Sequence, residues 1–132
     1  MRDLYLDDHV LFTGYVDPDQ LNSLYNLCDV YVMLSRELVA RGDTEGFGIT
    51  FLEANACGKP VIGGDSGGVS DAILDGVTGF LVDPLDVDGV AEKLILLLED
   101  PDLARRLGQQ GRARVEGSFT WDGITKQLLE MV

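Results

Sequence analysis

The sequence predicts an α/β fold, a single domain in which helices flank a parallel sheet, and three observations lead to this prediction. The chain has 132 residues, enough for one domain, and 45% of them are hydrophobic, enough to bury a core. Short segments rich in β-forming residues alternate with segments of helical periodicity as far as residue 82. Strands joined by helices in this way pair in parallel.

The first predicted strand covers residues 9–16, which are rich in β-forming residues. A helix follows, because Asp17 is a suitable N-cap and Pro18 is favoured at the first helical position. Residues 29–34 form a continuous run rich in β-forming residues, which is typical of a strand buried on both faces. The apolar face of the intervening helix comprises four residues at helical spacing: Leu21, Leu24, Tyr25 and Cys28.

A polar loop over residues 35–46 separates this strand from the next helix, which begins at Gly48 and ends at Gly58. Residues 60–63 form the following buried strand. The face of the helix that turns towards the core is expected to carry three apolar residues: Ile49, Leu52 and Ala56.

The remaining elements are a glycine-rich turn over residues 64–70, a short helix through residues 72–74 and a strand over residues 80–82. Three polar residues are then placed to begin helices: Asp86, Asp100 and Thr120. Other apolar residues are expected in the core, namely Met33, Trp121 and the stripe over residues 94–98.

The charge of the chain excludes several kinds of partner. There are 23 acidic and 10 basic side chains, and the formal net charge is −13. Such a surface repels nucleic acid and anionic lipid. If the domain binds phosphate, short-range donors such as the N–H groups at a helix start are favoured over a basic patch.

The cysteines Cys28 and Cys57 both lie in apolar surroundings and lack the spacing of metal ligands. A single histidine, His9, could not complete a zinc site with them. We therefore expect buried, reduced thiols, which fits a cytoplasmic protein. No segment has the pattern of a signal peptide, and the apolar run over residues 94–98 is far too short to span a bilayer.

The segment from Glu45 to Glu53 carries the chemistry, with Gly46, Phe47 and Gly48 just before a predicted helix start. The first N–H groups of a helix are unpaired and the macrodipole is positive there, so Ile49 and Thr50 can hold a diphosphate. Two carboxylates separated by such amides can hold two sets of hydroxyls, which is the layout of a nucleotide sugar. The structural alternative is that one acid serves the helix dipole and the other is a solvated helix residue.

At these residues the chain resembles a known family. Glu45 to Glu53 matches the Glu-x7-Glu motif of the retaining, family 4-type glycosyltransferases with the GT-B fold, and residues 54–62, 67–71, 75–80 and 97–101 match the family in order and spacing. The resemblance runs from Val10 to the end of the chain. It implies a Rossmann-like parallel sheet and a donor-binding function.

The resemblance assigns roles to individual residues. Glu45 matches the acid that contacts the donor sugar near the reacting centre, and Glu53 matches the acid that takes the ribose hydroxyls. Three residues supply backbone amides to the sugar and the phosphate: Gly46, Phe47 and Gly48. Ile49 and Thr50 match the helix start that holds the distal phosphate.

The resemblance implies a donor and no cofactor, and no metal is expected because the motif segment has no Asp-x-Asp pair. The donor is a nucleotide sugar, GDP-mannose or a UDP-sugar, and residues 36–43 are similar to a subgroup that includes mannosyltransferases using GDP-mannose. The glycine-rich segment at residues 63–68 is expected to form a wall of the donor pocket. Asp71 departs from the family, in which Glu is more frequent at this position, and a structural role is expected there.

The family comparison also predicts what this chain lacks. In the family, the donor-binding domain has two further βα units before the position of Val10, and a separate domain binds the acceptor. The chain is therefore expected to be a partial donor-binding domain that transfers no sugar alone. The alternatives are a non-catalytic nucleotide-binding or assembly module and, less favoured, a flavodoxin-like or receiver-type domain. Without the absent strands, residues 30–34 have a bare edge. Either residues 10–15 move across to pair with it, or two copies form a homodimer.

Overall fold

The computed structural model describes residues 4–36 and 46–131 of the chain, and it confirms the α/β class. The strands pair in parallel in the order β1-β2-β3. The elements in chain order are α1 (Pro18–Leu27), β1 (Tyr31–Met33), α2 (Ile49–Ala56), β2 (Val61–Gly64), α3 (Val69–Ala72), β3 (Gly79–Val82), α4 (Val87–Glu99), α5 (Pro101–Ser118) and α6 (Trp121–Glu130).

Successive side chains of the strands point to opposite faces of the sheet, so the core has two halves. On one face Val61 of β2 packs with Phe51 and other buried residues of α2 and α3. On the other face Ile62 of β2 packs with Leu97 of α4 and Leu107 of α5. The sheet is therefore covered by helices on both faces, as predicted for a parallel sheet.

The helix starts follow the sequence signals closely. Pro18 is at the first position of α1, although the side chain of Asp17 makes no capping hydrogen bond. The other three predicted caps accept a hydrogen bond from a backbone N–H in the first turn: Asp86 from Gly89, Asp100 from Leu103 and Thr120 from Gly123. Gly58 follows α2 with a φ of 73°, a conformation that glycine adopts without strain.

The strand predicted over residues 9–16 is wrong, because this segment has no regular secondary structure. The alternative in which residues 10–15 move across to pair with β1 is also wrong, since β1 lies at an edge of the described sheet. Leu11, Phe12 and Tyr15 remain largely exposed. β-propensity expresses how well a residue fits a pleated, packed surface, and it forms no strand unless a neighbouring strand accepts the backbone hydrogen bonds.

Several predictions of burial are also wrong. Trp121 is 84% exposed and Leu98 is 59% exposed, whereas Leu97 of the same stripe is buried and Met33 is half-buried. Periodicity identifies an apolar face but does not determine what covers it.

The buried face of α2 also differs from the prediction. It consists of Phe51, Ala54 and Asn55. Ile49 and Ala56 are exposed, and Leu52 is half-buried.

Both cysteines are free thiols, but they are half-buried rather than fully buried. The thiol of Cys28 donates to the carbonyl of Tyr25, and burial raises the pKa of this thiol above its ordinary value. Among the helices of the described residues, none has the length and apolar character needed to cross a membrane.

Candidate functional site

The glycine-rich turn after β2 and the end of the polar loop before α2 meet at the carboxyl edge of the sheet. Ligands bind at this edge in folds of this kind. The glycine-rich loop after β2 touches the segment that leads into α2. A Cβ atom on Gly68 would overlap the carbonyl oxygen of Gly46. A Cβ atom on Gly64 would lie 2.5 Å from the carbonyl oxygen of Ser35. Glycine at these positions lets the loop approach closely both the segment before α2, at Gly46, and the segment after β1, at Ser35.

The start of α2 has the geometry of an anion site. Gly48 is the N-cap residue, with φ 75° and ψ 54° in the left-handed region, and it has no side chain that could cap the helix. A Cβ atom there would lie 2.6 Å from the Cδ2 atom of Phe51, so sterics also require glycine. The first N–H groups of a helix have no acceptor within the helix, and a phosphate oxygen can satisfy them.

The two residues expected to hold the distal phosphate form the first turn of α2. Ile49 is 66% exposed, so its apolar side chain is not needed for the core. Thr50 is half-buried, and its hydroxyl donates to the thioether sulfur of Met33 at 3.7 Å. A thioether is a weak acceptor, so this hydroxyl can turn to a stronger acceptor such as a phosphate oxygen.

Phe47 connects the site to the rest of the fold. Its ring is half-buried and lies 5.7 Å, centroid to centroid, from the ring of Phe119 at the end of α5. The guanidinium of Arg114 lies over the other ring of this pair, 4.7 Å from the centroid of Phe119. Arg114 also donates two hydrogen bonds to α3, to the carbonyls of Asp71 at 2.7 Å and Ala72 at 2.6 Å.

This chain of contacts joins the loop before α2 to α5 and α3. Burial lowers the pKa of Arg114, and the nearby carboxylate of Asp71 acts in the opposite direction. Asp71 contributes its backbone carbonyl to the fold through the hydrogen bond from Arg114.

Glu53 lies on the exposed side of α2, four residues beyond Ile49 and therefore about 6 Å further along the helix axis. The hydroxyl of Tyr25 donates a hydrogen bond to its Oε2 atom at 2.8 Å. The structure thus brings together the predicted residues Gly46, Phe47, Gly48, Ile49 and Thr50, with Glu53 one turn away.

Glu45, the predicted catalytic residue, lies outside the described residues, and so do residues 37–43 of the loop similar to the mannosyltransferase subgroup. Within residues 4–36 and 46–131, no three His, Cys, Asp or Glu side chains are grouped so that they could hold a metal ion.

Sequence reasoning missed two residues that support this site. The spacing of Tyr25 places it on the apolar face of α1 and gives no sign that its hydroxyl reaches Glu53. Arg114 belongs to no local motif. Both contacts join residues at least 28 positions apart, so local patterns carry no signal for them.

The chain is similar to known proteins of one family. The model of a family described as glycosyl transferases group 1 matches residues 1–114. A GDP-mannose-dependent α-(1-6)-phosphatidylinositol monomannoside mannosyltransferase of Mycobacterium tuberculosis is 42% identical over 131 residues, which are 99% of this chain and 34% of the relative. The N-acetyl-α-D-glucosaminyl L-malate synthase of Bacillus anthracis is 36% identical over 127 residues, 96% of this chain and 31% of that protein.

Solved structures show the same relationship. A crystal structure of Anabaena Alr3699/HepE in complex with UDP-glucose matches with a TM-score of 0.86 and 27% identity, covering 98% of this chain and 34% of that one. Sucrose-phosphate synthase from Thermosynechococcus elongatus matches with a TM-score of 0.84 and 35% identity, over 98% and 31% of the two chains. The chain spans about a third of the length of the curated relatives that it matches.

Proposed function

Since this chain belongs to the glycosyl transferases group 1 family, with a fold that matches the C-terminal domain of GT-B enzymes, we propose that it forms the donor-binding part of a retaining hexosyltransferase. The enzyme would move a sugar from a nucleoside-diphosphate sugar to an acceptor. The observation that carries the proposal is the glycine-capped start of α2 facing the glycine-rich loop, with Glu53 one turn beyond it.

The start of α2 supplies the electrostatic part of the mechanism. The leaving group of the reaction is a nucleoside diphosphate, on which negative charge develops in the transition state. N–H groups of a helix start that are already aimed at this position stabilise that charge without reorganising. Such short-range donors suit a chain with a formal charge of −13, because they act at contact distance.

The two acids of the motif have separate roles in this proposal. Glu53 accepts hydrogen bonds from the hydroxyls of the ribose. Glu45 contacts the donor sugar near the reacting centre, by resemblance to the family. The loop over residues 63–68 forms a wall of the donor pocket, supported by its contact with Gly46.

Two donors are proposed, GDP-mannose and a UDP-sugar. The mycobacterial relative is named as GDP-mannose-dependent, and the Anabaena relative was crystallised with UDP-glucose. Titration of the chain with both nucleotide sugars, followed by NMR, separates the two possibilities.

The two free thiols support a cytoplasmic location.

Kinetics of an active enzyme that contains this segment tests the assignment of the two acids. Glu45→Ala should remove most of the activity, because its role is closest to the reacting centre. Glu53→Ala should raise the KM for the donor more than it lowers kcat. The loss of one hydrogen bond to a charged group costs about 1.5–3 kcal/mol, roughly a 10- to 150-fold effect.

Glu130→Ala is the matched control, since it removes an exposed acid of α6. Near-normal kinetics in both motif variants would remove the basis of the assignment. Donor binding without any transfer by the enzyme would favour the non-catalytic module. The 132 residues alone are expected to bind nucleotide sugar weakly and to transfer none, because the relatives that are named for transfer are about three times longer.

We also propose that this chain self-associates through the free edge of β1. Within the described residues, β1 lies at an edge of the sheet and is only half-buried. Leu11, Phe12 and Tyr15, which precede it in the chain, are largely exposed. An unpaired edge is a template for a second strand. Light scattering should give twice the monomer mass at micromolar concentrations, and a stable monomer over a wide concentration range would contradict the proposal.

A further inference from the structure

The hydroxyl of Tyr25 makes the one described side-chain hydrogen bond to Glu53. It donates to the Oε2 atom at 2.8 Å, across 28 residues of sequence and between two helices, α1 and α2. Both side chains line a cleft of about 430 Å³ between these helices. Glu53 is otherwise exposed, and a carboxylate on an exposed glutamate samples several rotamers unless a partner fixes it.

The ring that carries this hydroxyl is held by other aromatic rings. Tyr25 packs edge-on against Tyr31 of β1, with ring centroids 5.5 Å apart, and Tyr31 packs edge-on against Phe51 of α2 at 5.7 Å. Phe51 is completely buried in the core. The position of the Tyr25 hydroxyl is therefore set by the core and not by the exposed surface.

The direction of the hydrogen bond is also fixed. Burial, and then the hydrogen bond to Glu53, raise the pKa of Tyr25 above its ordinary value, so the phenol keeps its proton at neutral pH. A protonated phenol beside a carboxylate donates to it. This donation occupies one site on Oε2 and leaves Oε1, with both of its lone pairs, for other donors.

We propose that Tyr25 is a positioning residue for nucleotide-sugar binding. It holds the carboxylate of Glu53 so that the free Oε1 atom accepts hydrogen bonds from the vicinal hydroxyls of a ribose. The inference rests on the proposed function, in which Glu53 is the ribose acceptor. Tyr25 itself touches no substrate. It reduces the number of orientations that the Glu53 carboxylate must give up when the ligand binds.

Tyr25→Phe is the sharpest test, because it removes the hydroxyl and retains the ring. Tyr31→Phe is a matched control, since this hydroxyl belongs to the same ring cluster but donates to the sulfur of Met33 at 3.7 Å. Both variants are compared with Glu53→Ala in an active enzyme that contains this segment. Thermal unfolding first establishes that each variant is folded.

The probes are GDP-mannose and UDP-glucose, each with its normal ribose and with a 2′-deoxyribose. We expect Tyr25→Phe to raise the KM for the ribose form about tenfold, equivalent to about 1.4 kcal/mol, with little change in kcat. The effect should shrink with the deoxyribose form, because one of the hydroxyls that Glu53 accepts is then missing. Tyr31→Phe should leave both KM values unchanged.

The outcomes separate this inference from the proposed function. If Glu53→Ala raises the KM only for the ribose form while Tyr25→Phe resembles the wild type, the positioning role is wrong and the ribose role of Glu53 stands. An equal effect of Tyr25→Phe on both forms of the donor would also overturn the positioning role, because it indicates a purely structural contact. If Glu53→Ala does not distinguish the two forms, the ribose role of Glu53 fails, and the inference fails with it.

Discussion

Asn55 is the polar side chain on the buried face of α2, and its removal should destabilise the domain strongly. It is 1% exposed, and its Nδ2 group donates to the carbonyls of Lys59 at 2.9 Å and Thr78 at 3.2 Å. These bonds tie α2 to the segments that precede β2 and β3. The same side chain fills the space beside Gly111 of α5, where a Cβ atom would collide with it.

The cost of Asn55→Ala follows from the two carbonyls that lose their donor. A buried polar group left without a partner costs about 1–3 kcal/mol, and a group that water can reach costs less. The Thr78 carbonyl belongs to the buried bond and the Lys59 carbonyl to the partly buried one. We therefore expect a loss of about 2–4 kcal/mol in the free energy of unfolding, a large part of the roughly 5–15 kcal/mol that is usual for a domain.

Urea unfolding followed by circular dichroism measures this loss. With an m-value of about 2 kcal/mol/M, the midpoint should fall by roughly 1–2 M at an unchanged slope. Asn26→Ala is the control, because its Nδ2 group makes its hydrogen bonds in exposed positions, to Asn22 of α1 and to the sulfur of Cys57 at 3.6 Å. Its effect should be below about 0.5 kcal/mol. A loss of stability below about 0.5 kcal/mol for Asn55→Ala would refute the reasoning.

Asn55→Asp adds a pH dependence whose sign can be worked out. An aspartate here is buried and faces two carbonyl oxygens, so its pKa in the folded state is raised above the unfolded value. The folded state then binds the proton more tightly, and stability is lost as pH rises through the raised pKa. The penalty relative to wild type should therefore be larger at about pH 7 than at about pH 4, and an equal penalty at both would contradict the assignment.

Three further results are expected. Gly68→Ala should weaken donor binding more than tenfold, roughly 1.4 kcal/mol or more, because its Cβ would overlap the carbonyl of Gly46. Gly117→Ala, in open space on α5, is the control and should leave donor binding unchanged, and titration with a nucleotide sugar compares the two variants. Arg114→Lys should lower stability by about 1–2 kcal/mol in urea unfolding, because an ammonium cannot bond both α3 carbonyls in the same fork geometry, and an unchanged midpoint would contradict this. Activity of an enzyme that contains this segment should survive a chelator, because the start of α2 can meet the charge of the diphosphate and the motif has no Asp-x-Asp pair. Loss of activity that Mn²⁺ restores would contradict this expectation.

The sequence by itself determined the features that depend on residues close together in the chain. The caps at Asp86, Asp100 and Thr120, and the glycine after α2, are local hydrogen-bonding and backbone preferences that act in the same way in any fold. The order of helices and strands from residue 18 onward follows from apolar periodicity. The start of α2 could be identified as a candidate site because glycine, amides and motif residues are adjacent in sequence.

The tertiary structure decided everything that depends on which surfaces meet. The apolar pattern of α2 predicts that Ile49 faces the core. The packing of α2 on α5 buries Asn55 instead, and its side chain fits against Gly111. Residues 10–15 have the composition of a strand but pair with no strand of the described sheet, and Trp121 has the spacing of a core residue but is 84% exposed. The contact between Tyr25 and Glu53 is likewise a product of helix packing, because burial and long-range hydrogen bonds depend on the partner surface and local sequence preferences do not specify that partner.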